Sequence, residues 1–144
     1  MEFFNKPMTL AESNDLLELI IEKNIKFGYG LWALEQIESG KFIGFTGFNF
    51  TEFESDFTPC VEIGWRIKSD FWKQGFATEA AKACLSFAKT KTLFTKIYSF
   101  TSKLNIKSIR VMEKAGLKFV SEFDHPAVPK NHILKRHVLY EMIM

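Results

Sequence analysis

The fold is decided by residues 61–81, which read VEIGWRIKSDFWKQGFATEAA. The first seven alternate apolar and other side chains, the pattern of a half-buried β-strand, and Gly64 among them predicts a bulge. Gly75 then precedes a segment in which small and apolar residues recur at helical spacing. Those on one helical face are Ala77, Ala80, Ala81, Cys84, Leu85 and Ala88. We therefore expect a strand, a glycine turn and a helix that packs closely on a sheet.

The residues before this stretch predict a helix and a β-hairpin. Thr9 and Glu12 have the spacing of a capping box, in which each side chain satisfies a free amide at a helix start. The helix should run to about Asn24. Its predicted buried stripe is Leu16, Leu17, Ile20 and Ile21. Two β-rich runs, at residues 31–37 and 42–50, are joined by a turn that contains glycine, which is typical of a hairpin.

The residues after the stretch predict a strand, a helix and two more strands. The strand covers residues 97–101, and Asn105 caps a helix that turns Ile109 and Met112 inward and ends at Gly116. The last two strands are predicted at residues 118–123 and 136–143. This order of elements predicts an α+β or α/β layer, with helices covering a mixed sheet.

Length and composition narrow the class of protein. The chain has 144 residues, of which 47% are hydrophobic, 15% aromatic and 25% charged. These values favour a single folded domain over residues 1–144 and exclude a disordered chain. The formal net charge of +2 is too small to predict nucleic acid or a membrane surface as the main partner.

Targeting signals and cysteine use point to the cytoplasm. Residues 1–7 lack the basic start and apolar stretch of a signal peptide, and no apolar run approaches the ~18 residues of a membrane span. We therefore predict a cytoplasmic protein. Cys60 and Cys84 lack the spacing of a metal site, so we expect no metal and two reduced thiols.

The glycine turn before the second long helix has the features of an anion site. Free amides at residues 74–78 and the positive end of the helix dipole would hold a pyrophosphate, while Gly75 and Ala77 leave room for it. The loop matches neither GxxxxGK(S/T) nor GxGxxG. Taken alone, it is more simply interpreted as a helix cap with a glycine for packing.

Two motifs resemble those of the GNAT superfamily of N-acetyltransferases. Residues 72–77, WKQGFA, are similar to the acyl-CoA motif (Q/R)xxGx(G/A), with Trp in place of the first Gln or Arg. Residues 105–117, NIKSIRVMEKAGL, resemble the NxxSxxxxEKxG element of the same family. Residues 62–65, EIGW, and Trp72 further resemble the RimJ/RimL-like branch.

The resemblance implies a GNAT-like α+β fold, with a mixed, mostly antiparallel central sheet flanked by helices, but without the family's first strand and helix. A sheet edge left open in this way suggests either a homodimer, in which the partner covers the edge, or a misassigned start codon. The implied activity is transfer of an acetyl group from acetyl-CoA to a primary amine. The acceptor is either a protein N-terminal α-amine, such as that of a ribosomal protein, or a small-molecule amine.

The resemblance also implies roles for single residues. Glu62 would accept the proton of the amine, and backbone amides around Gly64 and Trp65 would polarise the thioester carbonyl. Met112 stands where many GNAT enzymes have a tyrosine, so Ser108 is the nearest group to protonate the leaving thiolate. Two simpler interpretations stay open: Glu62 as a solvated strand carboxylate, and Ser108 as a first-turn helix residue.

The residues expected to bind acetyl-CoA are Trp65, Ile67, Gln74, Gly75, Phe76, Ala77, Thr78, Asn105 and Lys107. Two other functions stay open. A non-catalytic acyl-CoA-binding module would bind CoA without turnover. A nucleotide- or RNA-binding domain would need a basic groove with exposed aromatic side chains, whereas the lysines here are scattered among acids, so it ranks last.

Overall fold

The computed structural model describes residues 8–144, which form three α-helices and six β-strands. In chain order they are α1 Leu10–Phe27, β1 Leu31–Glu35, β2 Phe42–Thr51, β3 Cys60–Ile67, α2 Phe76–Lys91, β4 Lys96–Ser102, α3 Ile106–Lys114, β5 Lys118–Asp124 and β6 Arg136–Ile143. A short 3-10 turn, Ser69–Phe71, lies between β3 and α2. The prediction that residues 1–7 form no signal peptide lies outside the described part of the chain.

The six strands form one sheet in the order β1-β2-β3-β4-β6-β5. All neighbouring pairs are antiparallel except β3 and β4, which are parallel because the crossover helix α2 connects them. The register of this parallel pair is confined to Glu62 opposite Tyr98. The predicted mixed, mostly antiparallel sheet is confirmed, and it opens in its middle between β3 and β4.

The core lies between the sheet and helices α2 and α3. The predicted small-residue face of α2 is confirmed, since Ala80, Ala81, Cys84, Leu85 and Ala88 are all buried. On α3, Met112 is 1% exposed and Ile109 packs against the core. Because these side chains are small, α2 packs closely on the sheet, and its start lies close to the end of β3.

Helix α1 begins as predicted but turns a different face inward. Both hydrogen bonds of the Thr9–Glu12 capping box are present. Leu17 and Ile21 are 55% and 51% exposed, so their place in a buried stripe is a wrong prediction. Leu16 and Ile20 of the predicted stripe are half-buried, together with Lys23 and Asn24. Spacings of four, three and one residues put these four on one helical face, which places a lysine against the sheet.

The prediction of a bulge at Gly64 is wrong for the edge of β3 that pairs with β2. The β2–β3 register runs without a shift from Thr51 opposite Cys60 to Gly44 opposite Ile67. Two hydroxyl groups bond to β3 carbonyls here: Thr46 Oγ1 donates to Gly64 O at 2.9 Å, and Ser99 Oγ donates to Ile63 O at 2.9 Å. The irregularity of β3 lies on its other edge, where its pairing with β4 stops.

Candidate functional site

A cleft of about 900 Å³ opens where β3 and β4 part. The lining residues come from α1, β1, β2, β3, the start of α2, the end of β4, α3 and the segment leading into β6. The predicted site residues that line it are Glu62, Trp65, Ile67, Gly75, Phe76, Ala77, Thr78, Asn105, Lys107 and Ser108. Gln74 does not line the cleft; it is exposed, and its side-chain amide donates to Asp70 O at 3.4 Å.

The start of α2 presents backbone amides to the cleft. Gly75 occupies the N-cap position with φ +82°, a left-handed conformation that favours glycine, and it supplies no side-chain cap. The amides of Phe76, Ala77 and Thr78 are those that an α-helix leaves without an internal partner. Together with the helix dipole they form a site suited to a phosphate group.

Basic side chains also line the cleft. Lys73, Lys107, Arg110 and Lys114 all line it. Lys107 Nζ lies 3.8 Å from the centroid of the Trp72 ring, whose Nε1 donates to Ile67 O at 2.8 Å. This chain of contacts ties the start of α3 to the end of β3. Arg110 and Lys114 were missed in the sequence, although they follow Lys107 at helical spacing, which is the signal that would have found them.

Glu62 lies deeper in the cleft, on the face of β3 opposite the α2 side. Its Oε2 accepts a hydrogen bond of 2.7 Å from the Thr51 hydroxyl. Burial raises the pKa of Glu62 from 4.5 to about 7, although the Thr51 hydrogen bond and the charge of Lys23 both lower it. The residue as a whole is half-buried, so the carboxylate is desolvated and still reaches the cleft. A carboxylate with this pKa exchanges protons near neutral pH.

Two further residues fix the surroundings of this carboxylate. Asn49 on β2 is the register partner of Glu62, and its Oδ1 accepts a hydrogen bond of 2.8 Å from Lys23 Nζ of α1. Lys23 and Asn49 line the cleft together with Glu62. The sequence analysis missed both, and Thr51 as well, because only the register between β2 and β3 and the turn of α1 bring them together.

Aromatic rings form part of the cleft lining. Phe100, His125 and His137 line it, and the two imidazole rings lie 5.0 Å apart, centroid to centroid. Burial lowers the pKa of His125 to about 4, with further lowering by the charges of His137 and Lys135. Burial also lowers the pKa of His137. Both rings are therefore neutral near pH 7 and act as aromatic surface, so they take no part in charge pairing.

The start of α3 shows how Asn105 and Ser108 are held. Asn105 Oδ1 accepts from the Ser108 amide at 3.3 Å, which confirms the predicted cap, and its Nδ2 donates to Thr101 Oγ1 at 3.1 Å. Ser108 is half-buried at the cleft. Met112, one helical turn further, lines the same cleft and carries no acidic proton. Ser108 thus places a hydroxyl in the cleft one helical turn before Met112.

Other candidate groups lie outside the cleft. Cys60 is buried with a free thiol, and burial and the charge of Glu62 raise its pKa to about 11, so it is no nucleophile near neutral pH. The acidic residues Glu54 and Asp56 line a separate cavity of about 450 Å³. Within residues 8–144, no group of three or more histidine, cysteine or acidic side chains is placed to hold a metal ion. No helix in that range is long and apolar enough to span a membrane.

Comparison with known proteins assigns this architecture to a family. The model of the acetyltransferase (GNAT) domain matches residues 1–118. The uncharacterized protein YkkB of Bacillus subtilis is 33% identical over 93 residues, which are 65% of this chain and 53% of that protein. The FsC-acetyl coenzyme A-N(2)-transacetylase of Aspergillus fumigatus is 30% identical over 103 residues, 67% of this chain and 42% of the enzyme. The chain thus spans about half the length of these relatives.

A solved structure shows the same fold. The putative GNAT-family acetyltransferase of Bordetella pertussis superposes with a TM-score of 0.80 at 22% sequence identity. The match covers 93% of this chain and 77% of the Bordetella chain. The predicted fold, an α+β layer with a central mixed sheet of this family's type, is therefore confirmed.

Proposed function

We propose that this chain, which belongs to the GNAT acetyltransferase domain family, transfers the acetyl group of acetyl-CoA to a primary amine. One observation carries the proposal: the uncapped start of α2 and the carboxylate of Glu62 line the same cleft. The first suits a phosphate-bearing donor, and the second suits removal of a proton from an amine. The Aspergillus relative is named as an acetyl coenzyme A transacetylase, which supports the same donor.

The donor end of the cleft fits coenzyme A. The amides of Phe76, Ala77 and Thr78 bind the pyrophosphate, and Lys73 and Lys107 stand beside it with Arg110 and Lys114. Gly75 has no side chain, so the backbone approaches the phosphates closely. Trp65, Ile67 and Asn105 line the path along which the pantetheine arm lies.

Glu62 acts as the general base. Its pKa of about 7 lies close to that of an α-amine, ~7.7–8.0, so proton transfer between the two is almost balanced. For a lysine amine, with a pKa near 10.4, the same transfer is uphill by about three units. The nitrogen lone pair then attacks the thioester carbonyl and forms the amide bond as the carbon–sulfur bond breaks.

Backbone amides and a hydroxyl group stabilise the negative charges that develop on the carbonyl oxygen and on the departing sulfur. The amides around Gly64 and Trp65, where β3 loses its partner strand, stabilise the oxygen that becomes negative during attack. Ser108 donates a proton to the departing thiolate, directly or through an ordered water, and takes up a proton from solvent in the same step. A thioether such as Met112 cannot donate one.

A non-catalytic acyl-CoA-binding module is the second candidate, because Met112 leaves no acidic side chain of its own at the thiolate position. Calorimetric titration with CoA and thiol release from acetyl-CoA separate the two candidates. The assay uses N-terminal peptides, polyamines and small amines as acceptors. Amine-dependent thiol release supports the transferase, and CoA binding without release by any acceptor supports the module. Absence of CoA binding overturns both.

Finer assignments belong to the same proposal. The motif EIGW at residues 62–65 and Trp72 support the RimJ/RimL-like branch, and hence a protein N-terminal α-amine, such as that of a ribosomal protein, as one acceptor. A cytoplasmic location suits such a substrate. Strand β1 pairs only with β2 among the described strands, which is the edge that a homodimer would cover. Acetylation of a ribosomal-protein N-terminal peptide and the mass in solution test the acceptor and the dimer separately.

A further inference from the structure

We propose that Lys23 is a charge filter that restricts the acceptor to primary monoamines on an aromatic or apolar body and rejects diamines and polyamines. The inference rests on the proposed function and deepens it, since it names the substrate class of the same cleft. It starts from a residue on α1 that neither motif contains.

The first step is the position of Lys23. Its ammonium group donates to Asn49 Oδ1 at 2.8 Å, and Asn49 is directly opposite Glu62 in the antiparallel β2–β3 pair. Side chains of such a pair stand about 4.5–5.5 Å apart at Cβ and project from the same face of the sheet. The cation is therefore fixed beside the carboxylate that receives the acceptor amine.

The second step is the charge balance of the cleft. Among the described residues that line it, Glu62 is the sole acidic side chain. The basic ones are Lys23, Arg66, Lys73, Lys107, Arg110 and Lys114. A polyamine needs a second carboxylate for its second ammonium group. Lys73, Lys107, Arg110 and Lys114 are assigned to the phosphates of CoA, so the discrimination depends on Lys23, which its bond to Asn49 holds beside Glu62 and whose charge acts on that carboxylate. A second ammonium group close to Glu62 is repelled by this cation.

The third step is the aromatic part of the cleft that contains Glu62. Phe100, His125 and His137 present aromatic rings, and the imidazoles are neutral near pH 7 because burial lowers their pKa. Such a surface favours an apolar or aromatic body and supplies no anion for a second ammonium group. Charge and shape therefore select the same acceptor class.

The test compares acceptors that differ in one group. Benzylamine, 4-(aminomethyl)benzylamine and 4-(aminomethyl)benzoate share an aromatic body and carry a neutral, cationic or anionic second substituent. We expect kcat/KM for benzylamine to exceed that for the diamine by about tenfold or more, after division by two for the two equivalent amines. The benzoate should not show the diamine's penalty.

Variants tie this discrimination to Lys23. Lys23→Met should bring the ratio of monoamine to diamine towards one, and Lys23→Glu should favour the diamine. Lys23→Arg, which keeps the charge, should preserve the wild-type ratio and separates charge from packing. The matched control is Lys82→Met on the exposed side of α2, which lies outside the cleft and should leave the ratio unchanged.

Equal kcat/KM for benzylamine and the diamine in the wild-type chain would overturn the inference, as would a ratio that Lys23→Met leaves unchanged. If neither amine is acetylated, saturation-transfer NMR on the CoA-loaded protein compares their binding. Preferential binding of benzylamine supports the filter, and equal binding or none overturns it. Thiol release with N-terminal peptides would still support the proposed function, so the two failures are distinguishable.

Discussion

Removing the hydroxyl of Thr51 should shift the pH dependence of acetyl transfer to higher pH. Thr51 is 7% exposed, and its Oγ1 donates the 2.7 Å hydrogen bond to Glu62 Oε2. This bond stabilises the ionised carboxylate and opposes the burial that raises the pKa to about 7. Thr51→Val keeps the shape of the side chain and removes the donor. The pKa of Glu62 must then rise further.

The size of the shift follows from the strength of the bond. A hydrogen bond to a charged group contributes about 1.5–3 kcal/mol, and 1.36 kcal/mol corresponds to one pKa unit. The acid limb of the profile of kcat/KM should therefore move by about one to two units, from near pH 7 to between 8 and 9. Above that range, the activity of the variant should approach the wild-type value, because Glu62 is then ionised in both proteins.

The assay is thiol release from acetyl-CoA with one amine acceptor, measured between about pH 5.5 and 9.5. The same acceptor in both proteins cancels the titration of the amine itself. Thr51→Ser is the control, since it keeps the hydroxyl and should keep the limb near its wild-type position. An acid limb that stays in place in Thr51→Val, or moves to lower pH, would refute the assignment of Glu62 as the base.

Three further outcomes are expected. Gly75→Ala places a side chain at φ +82° and should lower the free energy of unfolding, measured in urea, by about 1–2 kcal/mol. The same variant should bind CoA more weakly in calorimetry, and an unchanged CoA affinity would contradict the anion site. The raised folded-state pKa of Glu62 contributes a loss of stability of up to about 3 kcal/mol as pH rises from about 4.5 to 7, while the lowered pKa of His125 acts in the opposite direction in both proteins. In urea unfolding, the stability of Glu62→Gln relative to wild type should therefore increase between pH 5 and 8, and a constant difference would contradict the raised pKa. Phe48→Ala, at a side chain 1% exposed, should lower the free energy of unfolding by about 3–5 kcal/mol, and a loss below 1 kcal/mol would contradict its place in the core.

Local patterns were enough to predict most of the fold. The alternation in residues 61–67 correctly predicted β3, and the helical spacing of small residues correctly predicted the buried face of α2. Both predictions succeed because backbone geometry alone sets the side-chain periods of strands and helices. The error on α1 came from neighbours in sequence: Leu17 follows Leu16 and is equally apolar, so hydropathy could not choose the inward face. That choice belongs to packing, which placed Lys23 inward instead.

The candidate site was predictable where it follows a contiguous motif. Residues 72–77 and 105–108 meet at the cleft because each motif stands at a helix start. The groups around Glu62 come from two other elements: Lys23 from α1, and Asn49 and Thr51 from β2. Only strand register and helix rotation unite them, and neither leaves a local signal. The pKa of Glu62 was likewise beyond the sequence, since burial is its largest cause.

The central claim, that Glu62 serves amine acetylation in this cleft, is tested most directly by thiol release from acetyl-CoA in the wild-type chain, Glu62→Gln and the exposed control Glu18→Gln. We predict amine-dependent release by wild type and control, and a loss of about 100-fold or more in kcat/KM for Glu62→Gln near pH 7.5, with unchanged CoA affinity. Equal rates for Glu62→Gln and wild type, or no amine-dependent release by the wild-type chain, would contradict the claim.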